Sequence, residues 1–145
     1  MIARLVGVAI DARAARSRDP REAAEAARWI AGNLLAIRGL RLGVDGAPPP
    51  CPRVLALAAR DLTGVLAAIA AVPALVDAAT LPRRWRLALR ALGVPVVDRP
   101  VPLVLAGGAS VVVSAPASAP CALRAVGDAT GYHVHVAPAE RMLVA

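Results

Sequence analysis

The sequence predicts an α/β fold, a mainly parallel sheet flanked by helices in a single domain. Short apolar runs alternate along the chain with stretches of helical periodicity. Four of these runs, rich in Val, Leu or Ala, suit buried strands that share one sheet: residues 53–58, 94–97, 110–113 and 132–137. The length of 145 residues fits one domain, with 1–18 as a basic and apolar N-terminal segment and 19–145 as the core.

The first half of the core opens on a strong helix start. Asp19 can cap a helix, Pro20 fits its first position, and Glu22 follows three residues after the cap. This helix is predicted to run to about residue 38. The other elements predicted in this half are strands at 40–44, 53–58 and 74–78 and a helix at 61–71, which Pro73 ends.

The second half alternates in the same way. Helices are predicted at 82–92 and 121–130, and strands at 94–97, 110–113 and 132–137. Gly93 ends the first of these helices, and Pro95 indicates the edge or the start of a strand. The prolines between residues 100 and 120 exclude one long helix there.

Composition excludes several classes of protein. With 58% apolar and 19% charged residues, the chain is too hydrophobic for intrinsic disorder. Two cysteines cannot form a disulfide framework. The apolar stretches are too short, or too interrupted by Gly and Pro, for a signal peptide or a membrane span. A cytoplasmic location is therefore expected.

The charge balance favours anionic partners. Seventeen basic residues, all arginine, against 10 acidic ones give a net charge of +7. Phospholipid surfaces, phosphorylated ligands and nucleic acid are candidates. Nucleic acid is not expected as a partner, because the three aromatic residues offer few platforms for base stacking.

The helix predicted at 82–92 is amphipathic. Arg83, Arg86 and Arg90 share one face by their spacing of three and four. Apolar side chains, including Trp85 and Leu89, occupy the other face. Such a helix can lie on an anionic membrane surface, or it can present an ordinary solvated arginine face.

Other patterns offer weaker chemistry. His133 and His135 lie two apart on a predicted strand, so both side chains share one face. They can seed a metal site or simply be half-exposed, and no carboxylate or Cys follows at a recognisable ligand spacing. No metal is therefore predicted. The serines lack a nucleophile-elbow motif, and Gly107-Gly108 is interpreted as a turn rather than a phosphate loop.

Four segments together resemble the glycerophospholipid acyltransferase family, which includes 1-acylglycerol-3-phosphate acyltransferases. The family has an apolar strand leading into Asn-His-x-Ser-x-x-Asp, and "RVLALAARDLTGVLA" has that layout. The family's Gly, apolar strand and Arg match "GVPVVDR". Next the family has a turn, a strand and a Phe-Pro-Glu-Gly-Thr motif. The segment "LAGGASVVVSAPAS" matches the turn and the strand. "LRAVGDATGYHVHVAP" is similar to its last helix and strand.

The resemblance implies an acyltransferase-like fold and specific site positions. The family's general-base His aligns with Ala59, its Asp with Gly64, its Asn with Ala58 and its Ser with Asp61. In the third motif Pro116, Ala117 and Ser118 replace Glu, Gly and Thr. Arg99, with Gly93 at the start of the same motif, is implied to serve the substrate phosphate.

The expected function is therefore an acyltransferase-like protein of phospholipid biosynthesis that is catalytically silent or impaired, because Ala59 cannot accept a proton. Its partner would be an anionic phospholipid surface or a lysophospholipid. No cofactor is expected, and acyl-CoA or acyl-carrier protein would be the donor if the protein were active. One alternative is an active enzyme with His133 or His135 as the base. Another is a basic module that binds lipid surfaces, a partner or nucleic acid.

Overall fold

The computed structural model describes residues 19–116 and 119–138. These residues form a six-stranded sheet with helices packed against it. In chain order the elements are α1 (Pro20–Ile37), β1 (Arg41–Asp45), β2 (Val54–Ala58), α2 (Leu62–Ala71), β3 (Ala74–Val76), a 3-10 turn (Ala78–Thr80), α3 (Arg83–Ala91), α4 (Val101–Ala106), β4 (Ser110–Ser114), β5 (Leu123–Gly127) and β6 (Gly131–Val136). The strand order across the sheet is β1-β6-β5-β2-β4-β3.

The sheet is mainly parallel, as predicted. Only β5 and β6 pair antiparallel, as a hairpin. The ladder between β2 and β5 is short, with just Leu57 opposite Leu123 and Ala58 opposite Arg124. Strand β5 therefore begins level with the end of β2 and extends past it. The α/β class in one compact domain is confirmed.

The two faces of the sheet are covered unequally. On one face, α1 and α2 bury a large apolar cluster that includes Ile30, Ile69 and Leu55. On the other face, Val104 of α4 and the first turns of α1 pack with Leu75 and Val111 over β3 and β4. Strands β3 and β4 are therefore covered on both sides, while no described helix covers the second face of β5, β6 and β1.

Local sequence signals explain where the helices begin. The Asp19 side chain accepts a hydrogen bond from the Arg21 backbone N–H at 3.1 Å, and Pro20 occupies the first turn of α1. The predicted start of α1 is therefore confirmed.

No helix in residues 19–116 or 119–138 combines the length and the apolar character needed to cross a bilayer.

The helix predicted at 121–130 is wrong, because residues 123–127 form β5. Leu123 and Ala125 are buried, whereas Arg124 and Val126, which alternate with them, are exposed. This alternation has the period of two that a strand requires. The run is only 5 residues long, so its Leu, Arg and Ala content, which favours helix, obscures the alternation.

The segment from 94 to 106 also differs from the prediction. The strand expected at 94–97 is reduced to one bridge between Val96 and Val76, because Pro95 has no N–H to donate. Residues 101–106 form α4, which the sequence analysis did not predict. Its prolines sit before and within the first turn, where a missing N–H costs nothing.

Candidate functional site

A cleft of about 390 Å³ opens at the carboxyl ends of β2 and β4. The overhang of β5 forms one wall of this cleft, and the turn from β2 into α2 forms the other. The lining residues are Ala58, Ala59, Arg60, Asp61, Ala115, the segment 124–128 and Tyr132. Ligands in α/β sheets bind at the carboxyl ends of strands, so this cleft is the best candidate for a site.

Asp61 ties the two walls of the cleft together. It is the N-cap of α2, and its Oδ1 accepts a hydrogen bond from the Gly64 backbone N–H at 2.8 Å. The Tyr132 hydroxyl donates to the same carboxylate, at 2.9 Å to Oδ1 and 2.8 Å to Oδ2. Partial burial raises the pKa of Tyr132 above its ordinary value of 10.0, and the Asp61 carboxylate adds to this shift.

Two arginines bring positive charge to the cleft. Arg60 follows β2, and Arg124 lies opposite Ala58 on β5. Both side chains belong to exposed residues, and within the described ranges neither forms an ion pair. Arg124 Nη2 donates to the Cys121 Sγ at 3.3 Å. Guanidinium groups on opposite walls suit a phosphate or carboxylate, because arginine is always charged and can bond bidentately.

Positions 59 and 64, which the resemblance aligns with the family's His and Asp, lie next to each other beside this cleft. Ala59 lines it, and a Cβ added to Gly64 would lie 3.2 Å from the Ala59 Cβ and 3.3 Å from Asp61 Oδ1. The backbone therefore places these two positions side by side. Alanine and glycine occupy them, so neither position carries an acid or a base.

The remaining carboxylate of the cleft, Asp128, accepts three hydrogen bonds through one of its oxygens. Asp128 Oδ1 accepts hydrogen bonds from the Thr130 hydroxyl and backbone N–H, both at 2.7 Å, and from the Gly131 N–H at 3.0 Å. The Thr130 side chain, followed by these N–H groups, holds the pKa of Asp128 below its ordinary value. A carboxylate stabilised in this way is a poor proton acceptor at neutral pH.

The substrate-phosphate residues implied by the resemblance lie away from the cleft. Arg99 follows the Val96 bridge, and its Nε pairs loosely with Asp98 at 3.8 Å. The segment that holds Val96 and Arg99 lies three strand spacings from β2, which is a distance of about 14 Å. Gly93 ends α3 with a φ of 75°. The two residues thus flank the bridging segment at its opposite ends, and their phosphate role stays a prediction.

The third motif lies partly at the cleft. Ala115, directly after β4, lines it, and Pro116 is exposed beside it. Ala117 and Ser118 lie outside the described residues.

The predicted lipid-facing residues lie on α3. Arg83, Arg86 and Arg90 are exposed, as is Arg84. The other side of the helix is anchored in the core by the fully buried Leu89, with Trp85 partly buried beside it. The predicted amphipathic helix is confirmed, while contact with lipid stays a prediction.

The two histidines share one face of β6, as predicted, and they have a carboxylate neighbour that sequence spacing did not show. His135 Nδ1 lies 3.0 Å and His133 Nε2 lies 3.6 Å from Asp45 Oδ2 on β1. The His133 ring lies over Gly43, where an added Cβ would be 2.4 Å from Cε1. Neither histidine lines the cleft. In the described ranges, no group of three or more His, Cys, Asp or Glu side chains is arranged to hold a metal ion.

Sequence reasoning therefore missed Arg60, Arg124, Tyr132 and Asp45 as site or cluster residues. The one available signal was Arg60-Asp61, a charged pair directly after an apolar strand. The other three depend on pairing between strands far apart in sequence.

Comparison with protein-family models, curated proteins and solved structures finds no match to this chain.

Proposed function

We propose that this protein is an acyltransferase-like domain that binds a lysophospholipid in the cleft and does not transfer an acyl group to it. The observation that carries the proposal is the pairing of positions 59 and 64 beside Arg60. The closeness of these two positions, with a cationic side chain next to them, supports the proposal. Among the described residues, the two carboxylates that line the cleft, Asp61 and Asp128, already accept hydrogen bonds from the protein.

The composition of the cleft supports this ligand class. Arg60 and Arg124 suit a phosphate headgroup. Ala59, Ala115 and Val126 provide apolar contacts for the start of an acyl chain. A base must lie within about 3 Å of the acceptor hydroxyl to activate it. Asp61 and Asp128 already accept hydrogen bonds from the protein, so we expect binding without turnover.

The test is titration calorimetry with lysophosphatidic acid, with a monoacylglycerol of the same chain length and with glycerol 3-phosphate. We expect the lysophosphatidic acid to bind most tightly. The double variant Arg60→Gln/Arg124→Gln should lose affinity by roughly tenfold or more, because charge-assisted hydrogen bonds are lost. The control Arg28→Gln/Arg41→Gln removes the same charge from exposed residues outside the cleft and should bind like the wild type.

Two results would overturn this proposal. Acyl transfer from an acyl thioester above the uncatalysed rate would exclude a silent protein. Loss of binding in Arg99→Ala, with unchanged binding in the cleft variant, would place the phosphate at Arg99 instead, and Arg99→Lys should then restore only part of the affinity.

A gain-of-function variant tests the acyltransferase-like part of the proposal. Ala59→His and Gly64→Asp restore the family's two reactive residues, but a new carboxylate at 64 would crowd Asp61 Oδ1. Asp61→Ser relieves this crowding and keeps a capping side chain. We expect the triple variant to show weak acyl transfer and Ala59→His alone to show none. A folded triple variant that binds the lysophospholipid without any transfer would count against the acyltransferase relationship.

A further inference from the structure

The outer face of α3 carries an arrangement that a solvated helix does not need. Arg83, Arg84, Arg86 and Arg90 are all exposed, and no carboxylate of the described chain forms an ion pair with any of them. Two of them lie in the first turn of the helix, where the helix dipole disfavours positive charge. Arg83 and Arg84 therefore do not stabilise α3 through its dipole, and of the four only Arg90, in the last turn, is favourably placed.

An apolar side chain lies in the middle of these charges. Leu87 is 54% exposed, although the adjoining core buries Leu89 completely. Residues three and four apart are neighbours on a helix, so Leu87 is flanked by Arg83, Arg84 and Arg90. The buried side anchors the helix to the domain, which leaves this outer face free for a partner.

We propose that α3 docks on an anionic phospholipid bilayer, with Leu87 inserted among the acyl chains and the four arginines on lipid phosphates. An apolar residue ringed by arginines fits the boundary between headgroups and acyl chains. Nucleic acid fits less well, because Leu87 would face a polar backbone and the outer face has no aromatic side chain on which bases stack. The inference uses no residue of the cleft and does not depend on the proposed function.

Docking through α3 also orients the domain. The Ser114 N–H at the end of β4 donates to the Thr80 hydroxyl at 3.0 Å, just before α3 begins. Ala115, the next residue, lines the cleft. The start of α3 and the cleft therefore share the carboxyl edge of the sheet. A docked α3 holds this edge near the membrane surface.

Co-sedimentation with vesicles tests the inference. Wild-type protein should bind phosphatidylcholine vesicles that contain phosphatidylglycerol, bind pure phosphatidylcholine weakly, and lose affinity as salt rises. Arg83→Gln/Arg84→Gln/Arg90→Gln should bind roughly 100-fold more weakly, at about fivefold per arginine. Leu87→Gln should bind roughly tenfold more weakly at unchanged charge. Leu103→Gln is the matched control, because Leu103 is 59% exposed on another helix.

Each outcome decides the question. Equal binding to both vesicle types, wild-type binding by the arginine variant, or equal losses in Leu87→Gln and Leu103→Gln would overturn the inference. Tighter binding to an oligonucleotide than to the anionic vesicles would also overturn it, in favour of nucleic acid. The charge-matched control Arg28→Gln/Arg41→Gln, outside both the cleft and α3, should bind vesicles as the wild type does, so a general effect of net charge would be seen separately.

Discussion

The two halves of the sheet are built on different principles. Strands β3 and β4 are parallel and covered on both faces, and each has an uninterrupted apolar run, 74–76 in β3 and 111–113 in β4. Strands β5 and β6 form an antiparallel hairpin with one open face, and their buried and exposed residues alternate. Both halves bury apolar residues in the core, but only the second half also presents charged and polar side chains to solvent and to the cleft.

The strongest test of this division disrupts the contact between β1 and β6. A Cβ added to Gly131 would lie 2.1 Å from the Arg41 backbone oxygen. Because backbone cannot move aside cheaply, Gly131→Ala should destabilise the protein by roughly 4 kcal/mol. Chemical denaturation measures the change. Gly32→Ala is the control: with nothing within 4 Å of the added methyl, it should stabilise α1 by about 0.5–1 kcal/mol. Equal effects in the two variants would show that the β1–β6 contact is unimportant.

Truncation of apolar side chains compares the covered face with the open one. Leu57 is 2% exposed and belongs to the main cluster, so Leu57→Ala should cost about 3 kcal/mol. Val126 is 49% exposed on the open face, so Val126→Ala should stay within about 0.5 kcal/mol. Both values come from the same denaturation experiment. A large loss in Val126→Ala would mean that something covers the open face in solution.

A spectroscopic titration tests the link from the hairpin to α2. Tyr132 is the sole tyrosine of the chain, so its ionisation can be followed by ultraviolet absorbance. Its raised pKa predicts stability that is intact below the ordinary value of 10.0 and is lost as pH rises through the folded-state value. Asp61→Asn keeps a capping side chain but removes the negative charge. The midpoint should then move down, and an unmoved midpoint would show that Asp61 has no part in the shift.

The smallest expected effect concerns the turn of the hairpin. The lowered pKa of Asp128 means that its contribution to stability is present above the ordinary carboxyl value and fades as pH falls through the lower folded-state value. Asp128→Ala should therefore melt slightly below the wild type at neutral pH, and the difference should shrink in acid. Asp98→Ala, at another exposed carboxylate, serves as the control. A difference that grows in acid would contradict the assignment.

The two halves also differ in how far sequence predicts them. Helix α1, strand β2 and helix α2 follow from Asp19, Pro20 and the apolar runs, because these signals are local. For β5 the sequence predicts a helix, because a short alternation of buried and exposed residues is outweighed by residue types that favour helix. Ala59 directly follows β2 and Gly64 lies in the first turn of α2, while their assignment to the family's His and Asp stays a prediction. The roles of Arg124, Tyr132 and Asp45 depend on the register between strands that are far apart in sequence. This register cannot be read from a single sequence.

The short ladder between β2 and β5 has a consequence for the dynamics of the protein. Only two residue pairs join these strands, so the sheet has a weak seam between its two halves, and the cleft lies along it. Such seams are where cooperative units separate in native-state hydrogen exchange. Amides of β5 and β6 should therefore exchange faster than those of β4. A ligand held by Arg60 on one side and Arg124 on the other would bridge the seam and slow that exchange, so binding would be detectable far from the groups that contact the ligand.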